Sequence, residues 1–590
     1  MTRPFVRLAL VLAAVAVAAG CARAPGKGEP TAAVERWQDL IVDPRDHTAV
    51  FDTTTLSHTC AEQTAFGIEL AAGDEREYRF RLDRPATLLV AACRETAAAA
   101  SGGTAVLRFQ VERGDGRREE LALPLAGGWQ ETRFELAPEP SGEVALHLAA
   151  EAPAGAKIVV RDLAVRSVEA APPPRPARRA ILISLDAFRD DAIGAVGHRT
   201  QTPVLDRLVA ESERFEPSWS AEISTKPSHA SMLTGVPAAV HGCDRGDVPL
   251  APGFSTLAER LSGTGVATGG FADTAPFFHD RYGLRQGFGS WRLEMWTSAQ
   301  ELRQASEWVA RHRDENFFLF LHLYAAHADT AGLPYEAPGI TRETVAERFG
   351  IRDYGCRDGG CGAGLLLALN LHPSLRLPRE EEILRFLYER GVEALDRDLG
   401  AFFAGLRAAD LWRDTLVILT ADHGEQFGEH GYFLHTTPHE ETLRVPLLVK
   451  WPGGRAAGVA AQRPVTSLDI APTVLAHFGL AAADLVGQDL AAPPRDAQPL
   501  MVSKDAVRVG DLKLIFATPE FPEALYDLAR DPGERTNLLP ARRADADRLK
   551  AVWQRAMEHA RRLAGVAPAV APAPFDAGEL ERLRSLGYLK

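Results

Sequence analysis

The chain has 590 residues and a formal net charge of −13 at pH 7 with His counted as neutral. This length is sufficient for two or three domains, each with an apolar core of its own. The acidic balance argues against nucleic acid as a partner held by charge, because such partners are bound by clusters of Lys and Arg. We therefore expect a multidomain protein that does not bind nucleic acid.

Residues 1–20 have the pattern of an export signal. Arg3 and Arg7 precede the apolar run Leu8–Ala19, whose twelve residues are too few to span a bilayer comfortably. The residues before Cys21 resemble a bacterial lipobox, which would make Cys21 the lipid-bearing (palmitate) N-terminus of a lipoprotein. That interpretation predicts anchorage to the cell-envelope membrane, facing the periplasm or the outside. The alternative is an ordinary secretory signal, and in both cases the mature chain leaves the cytoplasm.

Changes in composition divide the rest of the chain. In order, we predict a tether (22–45), a β-sandwich accessory domain (46–169), a Pro-rich linker (170–178), an α/β catalytic domain (179–500), a small C-terminal subdomain (501–540) and a helical tail (541–590). Short alternating strands separated by Gly- and Pro-containing turns, such as Ala105–Val111, predict the β-sandwich. No aromatic cluster indicates carbohydrate binding there, so a packing or spacer role is the other interpretation.

Two apolar runs in the catalytic domain end in acidic residues. Ala180–Leu185 leads into Asp186, and Leu416–Thr420 leads toward Asp422 and His423. Such runs are typical of buried parallel strands. Because ligands collect outside the carboxyl ends of parallel strands, these side chains are expected to converge.

A hydroxyl nucleophile candidate lies between these two strands in the sequence. Thr225 stands at a predicted helix start, with Pro227 in the first turn, where proline is favoured. The N–H groups and dipole of a helix start can seat a tetrahedral oxyanion. With Asp186, Asp422 and His423, Thr225 forms a predicted site for one divalent cation. The imidazole favours zinc or manganese, with calcium or magnesium as alternatives.

Five stretches carry a resemblance to the sulfatase branch of the alkaline phosphatase superfamily. They are Leu182–Arg189, Thr202–Leu208, Thr225–Gly235, Thr420–Gly431 and Leu525–Glu534. The resemblance covers about residues 179 to 540. It implies an α/β fold, a sandwich around a central mixed sheet, here preceded by the N-terminal β-sandwich domain. It also implies an ester hydrolase that depends on a divalent metal.

The nucleophile position departs from the resemblance. Most sulfatases have Cys or Ser there, in a motif ending in Arg, and oxidise it to formylglycine; this chain has Thr225, and His229 in place of the Arg. Threonine cannot become formylglycine because its Cβ carries a methyl group. Members with threonine resemble phosphodiesterases and phosphoryl transferases, so we predict a hydrolase or transferase of phosphate (di)esters through a phospho-threonine. The alternatives are a sulfuric ester hydrolase without formylglycine and a surface binding protein whose site has decayed.

A second departure follows the strand Phe317–Tyr324. Threonine-type relatives often have Asp where this chain has Ala325, whereas His327 is retained and His435 falls in a segment that lies beside the site. We expect His327 and His435 either to bind a second ion or to donate to the oxyanion of the substrate. Asp329 is a candidate substitute for the missing carboxylate. Within the strand, His322 is as compatible with a structural role as with a functional one.

The remaining candidates lie near these motifs. Lys226 and His229, on the nucleophile helix, are expected to stabilise charge on the transferring group. Glu425, Glu429 and His430, which follow His423, are interpreted as residues that surround the site or lie in a loop. We interpret segment 328–378 as an insertion that shapes substrate access.

Export of the chain permits disulfides. The candidate disulfide pairs are Cys356 with Cys361 and Cys60 with Cys93. Cys243 would then remain a free thiol. The expected partners are an ester substrate, such as an envelope lipid or glycan, and the membrane; oligomeric state is not indicated.

Overall fold

The computed structural model describes residues 33–39, 55–60, 63–82, 86–96, 105–125, 130–139, 143–153, 156–170, 177–244, 248–273, 276–294, 297–328, 332–335, 338–357, 361–494, 500–518 and 521–565. Outside these ranges lie the predicted signal with Cys21, the candidate Asp329, and the part of the predicted helical tail after residue 565. For that part the sequence predicts a Pro/Ala linker (567–574) and a short terminal helix that Asp576 can cap.

The described residues of the N-terminal region form ten antiparallel strands. They are β1 Ala33–Asp39, β2 Thr55–Cys60, β3 Gln63–Leu70, β4 Glu75–Arg81, β5 Ala86–Thr96, β6 Ala105–Arg113, β7 Arg118–Leu125, β8 Gln130–Leu136, β9 Glu143–Glu151 and β10 Ala156–Ala170. One sheet has the order β2-β3-β10-β5-β8 with β1 also on β10, and the other has the order β4-β9-β6-β7. Because β1 pairs with β10, the first sheet begins inside the segment that we predicted as a tether.

Alternation along the strands explains why the two sheets pack together. In β6, Ala105, Leu107, Phe109 and Val111 are buried, while the residues between them are partly or fully exposed. The buried face joins residues of both sheets in one apolar core. This arrangement confirms the N-terminal β region that the alternating strands predict.

The catalytic domain contains strands β11 to β22. They are β11 Arg179–Leu185, β12 Glu213–Phe215, β13 Ser218–Trp219, β14 Ala267–Asp273, β15 Ser290–Glu294, β16 Phe317–Leu323, β17 Thr415–Ala421, β18 Gln426–Phe427, β19 Phe433–Leu434, β20 Leu447–Lys450, β21 Val459–Ala461 and β22 Val465–Thr466. Eight of them form the central sheet, in the order β15-β14-β16-β11-β17-β20-β12-β21. The first five are mutually parallel, and β20 is antiparallel to both of its neighbours, so the sheet is mixed, as predicted.

Helices cover the central sheet. In chain order they are α1 Gly194–Gly197, α2 Pro203–Glu211, α3 Thr225–Thr234, α4 Ala238–His241, α5 Leu257–Ser262, α6 Ser298–Arg311, α7 Arg342–Phe349, α8 Ala363–Leu371, α9 Glu380–Ala408, α10 Glu440–Leu443, α11 Ile470–Phe478 and, in the C-terminal part, α12 Arg543–Ala564. Short 3₁₀ helices occupy Asp190–Ala192, Pro276–Phe278, Asp280–Tyr282, Pro373–Leu375, Glu429–Gly431, Pro452–Gly454 and Ser467–Asp469.

Each face of the sheet has its own core. Along β11, Leu182 packs with residues of α3, α5 and α11, whereas Ile181 and Ile183 pack with residues of α2, α6 and α9. Burial on both faces accounts for the continuous apolar runs in the sequence. Apolar positions at i, i+3 and i+4 predict a long helix over Glu380–Ala408, and α9 has these bounds. The sequence also predicts a helix over Val204–Arg214, whose end is wrong because Glu213–Phe215 enters the sheet as β12.

The insertion that follows His327 contains two helices, although its sequence has no clear periodicity. Helix α7 is capped by the Thr341 side chain and ends at Gly350 in a left-handed conformation. Helix α8 is apolar on most sides, so an amphipathic signal is weak there. Cys356 and Cys361 form a disulfide within this insertion.

The C-terminal part is a four-stranded antiparallel sheet and a helix. Its strands are β23 Leu500–Val502, β24 Ala506–Val509, β25 Leu512–Ile515 and β26 Ala524–Asp527, and α12 packs on β24 and β25. Cys93 is disulfide-bonded and Cys243 is a buried free thiol; pairing of Cys93 with Cys60 stays a prediction. None of the described helices combines the length and apolar character that crossing a membrane requires.

Candidate active site

The register of the central sheet brings the predicted site together. Leu185, the last residue of β11, is aligned with Ala421 of β17 and with Leu323 of β16. Asp186 and Asp422 therefore leave neighbouring strands at one edge of the sheet. The Asp422 carboxylate accepts N–H groups through Oδ1, from Ala187 at 3.3 Å and from His423 at 2.9 Å. These bonds fix one oxygen of Asp422 and leave Oδ2 directed elsewhere.

His423 is oriented by its own backbone. Its Nδ1 donates to the carbonyl of Gly424 at 2.9 Å, and because a carbonyl only accepts, Nε2 carries the lone pair. Burial holds the pKa of His423 well below its ordinary value, so the ring is neutral. Nε2 lies 3.5 Å from Asp186 Oδ1 and 3.4 Å from Asp422 Oδ2. Three potential ligand atoms thus face one another at short distance.

Thr225 completes this group. It is the first residue of α3 and fully buried, and its Oγ1 lies 3.5 Å from His423 Nε2. The start of α3 therefore delivers the hydroxyl to the same point as the two carboxylates and the imidazole. All four residues that we predicted for one ion, Asp186, Thr225, Asp422 and His423, meet at one place.

The donor set fits a divalent cation. Asp186, Asp422 and His423 offer ligand atoms that lie within 4.8 Å of one another, and all three side chains are buried. In the described part of the chain, neither oxygen of Asp186 nor Oδ2 of Asp422 completes a hydrogen bond. Buried polar atoms are normally paired, and buried charges are paired or bound to metals. Two carboxylates and an imidazole suit the zinc or manganese that the sequence favours.

The electrostatics of the two carboxylates support the same conclusion. Burial, and then the charge of Asp186, raise the pKa of Asp422 well above its ordinary value. Burial also opposes ionisation of Asp186, but the nearby imidazoles of His327 and His322 hold its pKa below the ordinary value. Two buried carboxylates at one point cannot both be ionised without a cation.

Serine side chains tie the nucleophile helix to the Asp422 turn. Ser228 Oγ donates to the Asp422 carbonyl at 2.7 Å, and Ser220 Oγ donates to the same carbonyl and lies 2.7 Å from Ser228 Oγ. The sequence did not predict this role, although Ser228 lies inside the Thr225–Gly235 motif.

Gly424 is required by the same turn. A Cβ there would lie 2.1 Å from the carbonyl oxygen of Glu441. Its N–H instead donates to the Thr442 carbonyl at 2.7 Å, and the N–H of Glu425 donates to Glu441 at 3.1 Å. The backbone after His423 is thereby held against residues 441–442.

Two further histidines lie behind the cation site. His322 Nε2 is 3.2 Å from Asp186 Oδ2, which gives the strand histidine a contact with a predicted metal ligand. His229 Nδ1 donates to the Thr225 carbonyl at 2.7 Å, and its Nε2 accepts from Ser184 Oγ at 2.9 Å. Both nitrogens of His229 thus contact the protein interior, and its action on the transferring group stays a prediction.

Lys226 follows the nucleophile but is buried. Its Nζ donates to the Val248 carbonyl at 2.5 Å and lies 5.1 Å from the ring centroid of Tyr282. These contacts support the segment around residue 248. Its predicted role toward the transferring group is likewise untested.

His327 and His435 lie beside the cation site, as the sequence predicts for a substrate or second-ion position. The His435 ring centroid is 4.0 Å from that of His423 and 5.4 Å from that of His327. His327 Nδ1 donates to the Ala328 carbonyl at 2.7 Å. Burial, and then the charge of His327, lower the pKa of His435 to about 3. The neutral imidazole of His435 and the ring of His327 therefore border the metal ligands.

The chain belongs to the sulfatase family. The sulfatase family model matches residues 178–480, about half of the chain. Among curated proteins, the ulvan-active sulfatase of Formosa agariphila is 24% identical over 399 residues, which cover 61% of this chain and 76% of that protein. The steryl-sulfatase of Mus musculus is 26% identical over 551 residues, covering 70% of this chain and 86% of that protein.

A solved structure has the same fold at low identity. The phosphonate monoester hydrolase of Agrobacterium radiobacter superposes with a TM-score of 0.52 at 19% identity, covering 65% of this chain and 96% of that chain. The protein is thus a sulfatase-family hydrolase that acts on ester bonds, within the alkaline phosphatase superfamily.

Proposed function

We propose that this protein hydrolyses or transfers phosphate (di)esters through a covalent phospho-threonine at Thr225. The observation that carries the proposal is the meeting of Thr225 Oγ1 with the lone pair of His423 Nε2 and the unpaired oxygens of Asp186 and Asp422. Thr225 retains the methyl group that excludes formylglycine. An alcohol nucleophile is therefore the group that this chain presents to an ester.

The reaction follows from the positions of these residues. Asp186, Asp422 and His423 would hold one divalent cation, for which we favour zinc or manganese. When bound, that ion supplies charge neutralisation and lowers the pKa of the threonine hydroxyl. Thr225 Oγ1 attacks phosphorus, the bond from phosphorus to the leaving oxygen breaks, and the phosphoryl group becomes an ester of Thr225.

The second step distinguishes hydrolysis from transfer. Attack by water on the phospho-threonine releases phosphate when the substrate is a monoester and a phosphate monoester when it is a diester, whereas attack by an acceptor alcohol gives a new ester. The rings of His327 and His435 have centroids 6.5 and 4.0 Å from that of His423, where they can bind the transferring group. Two imidazoles are also compatible with a second ion, and metal content distinguishes these roles.

Sulfuric ester hydrolysis without formylglycine is the second candidate, since the curated relatives include sulfatases. The threonine opposes it. Decay to a binding protein is disfavoured because the four residues converge, and because the buried carboxylate oxygens of Asp186 and Oδ2 of Asp422 complete no hydrogen bond among the described residues. We further propose that the chain is exported and held at the cell envelope by a lipid on Cys21, where an envelope lipid or glycan would be its substrate.

The test compares two esters on metal-loaded protein. Wild type should hydrolyse bis(p-nitrophenyl) phosphate faster than p-nitrophenyl sulfate and should contain a transition metal. Thr225→Ala should reduce phosphodiester turnover by several powers of ten, while Thr225→Ser, which keeps the hydroxyl, should retain a measurable part. Preference for the sulfate, or near-wild-type turnover by Thr225→Ala, would refute the proposal.

A further inference from the structure

A buried tyrosine of the insertion contacts the site. Tyr335 lies eight residues after His327 in the sequence and is 2% exposed. Its hydroxyl donates to Oε1 of Glu425 at 2.7 Å. The Tyr335 ring packs against Tyr388 and Phe427 in edge contacts at 5.6 and 5.7 Å. The orientation of the hydroxyl is therefore fixed by packing as well as by the hydrogen bond.

Glu425 is engaged through both oxygens. Oε1 accepts from Tyr335, and Oε2 lies 3.1 Å from Nδ1 of His435. The carboxyl is fully buried, and its backbone is held by the bond to Glu441. A buried carboxyl group is costly unless it is hydrogen-bonded. Here its two oxygens bridge the insertion and a histidine of the site.

The contact to Glu425 engages one nitrogen of the His435 ring. Nδ1 is directed at the carboxyl group, so Nε2 lies on the far side of the ring, whose centroid is 4.0 Å from that of His423. An acidic partner on one imidazole nitrogen fixes the orientation of the ring, and loss of such a partner costs about 10–100-fold in metal affinity or activity.

We propose that Tyr335 and Glu425 are positioning residues that hold His435 with Nε2 toward the reacting ester. This inference rests on the proposed function, in which His435 assists the substrate. It links the insertion to the chemistry, because Tyr335 reaches Glu425 only when its segment is packed in place. Residues of the insertion would then control turnover as well as access.

Kinetics test this arrangement with a matched control. Tyr354 lies in the same insertion, is 1% exposed, and donates to Glu380 at 2.7 Å. Tyr354→Phe therefore also removes a buried tyrosine hydroxyl that is hydrogen-bonded to a glutamate, but it does so outside the site. We expect Tyr335→Phe to lower kcat about 10-fold and Glu425→Gln about 10–100-fold, with KM nearly unchanged. Tyr354→Phe should keep wild-type kinetics.

A double-mutant cycle separates positioning from general damage. In a His435→Ala background, Tyr335→Phe and Glu425→Gln should cause no further loss, because the residue through which they act is gone. Equal losses in both backgrounds would overturn the proposal. So would a Tyr354→Phe variant as impaired as Tyr335→Phe.

A spectroscopic readout does not depend on turnover. In ¹⁵N-histidine-labelled protein, the His435 signals are those lost in His435→Ala. We expect wild type to hold the His435 ring in one tautomer and Glu425→Ala to shift both ring nitrogens, because no carboxyl group then contacts Nδ1. Unchanged His435 signals in Glu425→Ala would refute the positioning role. Inactivity of wild type on every ester, with these shifts present, would instead refute the proposed function.

Discussion

Glu222 offers a sharp test of the loop that delivers the nucleophile. It is 4% exposed, lies between β13 and α3, and accepts the Lys504 N–H through Oε1 at 2.6 Å. Its own N–H donates to Ser220 Oγ at 3.2 Å. Burial, reinforced by the charge of Asp505, raises the pKa of Glu222 from 4.5 to about 8. The carboxyl is therefore neutral in the folded protein at neutral pH.

The sign of the pH effect follows from this raised value. Between pH 4.5 and 8 the folded state keeps a proton that the unfolded state has released, so stability falls as pH rises. One pH unit corresponds to about 1.4 kcal/mol. From about pH 5.5 to about pH 7.5 the free energy of unfolding falls by roughly 3 kcal/mol. Below pH 4.5 the stabilisation that arises from the raised pKa is fully present. Glu222→Gln keeps the acceptor for Lys504 and removes the titration.

Thermal unfolding of wild type and Glu222→Gln across this pH range measures the effect. The two melting temperatures should be similar near pH 5.5, and the variant should melt roughly 5 °C higher near pH 7.5. Glu382→Gln, a change at an exposed carboxylate paired with Arg379, is the control. The difference between its melting temperature and that of wild type should not depend on pH. A Glu222→Gln variant that follows wild type at every pH would refute the reasoning.

Three further predictions concern charge, backbone and metal. Lys513 is fully buried between two glutamates, each 2.9 Å from Nζ, so Lys513→Met should lower the free energy of unfolding by roughly 3–5 kcal/mol in denaturation experiments. Gly424→Ala should lower kcat/KM about 100-fold, because its Cβ would lie 2.1 Å from the Glu441 oxygen and displace the turn after His423. Asp186→Asn should purify without stoichiometric metal by elemental analysis, because one charged ligand is lost.

Each of these predictions has a control. Lys550→Met, at a partly exposed lysine paired with Glu523, should cost less than about 1 kcal/mol, and an equal loss at both lysines would contradict the ion-pair argument. Full activity in Gly424→Ala would show that the turn does not position His423. Asp191→Asn, at a half-exposed aspartate, should retain metal, and retention in Asp186→Asn as well would contradict the ligand assignment.

The fold followed from the sequence where local patterns and tertiary burial agree. Apolar runs such as 180–185 and 416–420 are buried on both faces, so pattern and sheet position coincide in β11 and β17. The end of the helix predicted from Val204 failed, because pairing of Glu213–Phe215 with β20 overrides helical propensity. The helices of the insertion were missed because α8 lacks a polar face and α7 is only eight residues long.

The candidate site was predictable to the extent that it depends on strand ends. Asp186, Asp422 and His423 follow strands whose register is fixed, and Thr225 starts a helix that packs over them. The contacts of Tyr335 and Glu425 were not predictable, because they join segments 90 residues apart through a loop without periodicity. Side-chain direction was also hidden, and the burial of Lys226 against Val248 is an example.

The central claim is that Thr225 becomes covalently modified during turnover. The direct measurement is mass spectrometry of the metal-loaded enzyme, quenched in acid while it turns over bis(p-nitrophenyl) phosphate and then digested. The account predicts that the peptide containing Thr225 gains the mass of a p-nitrophenyl phosphoryl group, and that Thr225→Ala shows no such gain. An enzyme that turns the ester over while its Thr225 peptide stays unmodified at every quench time, or carries the group on another residue, would contradict it.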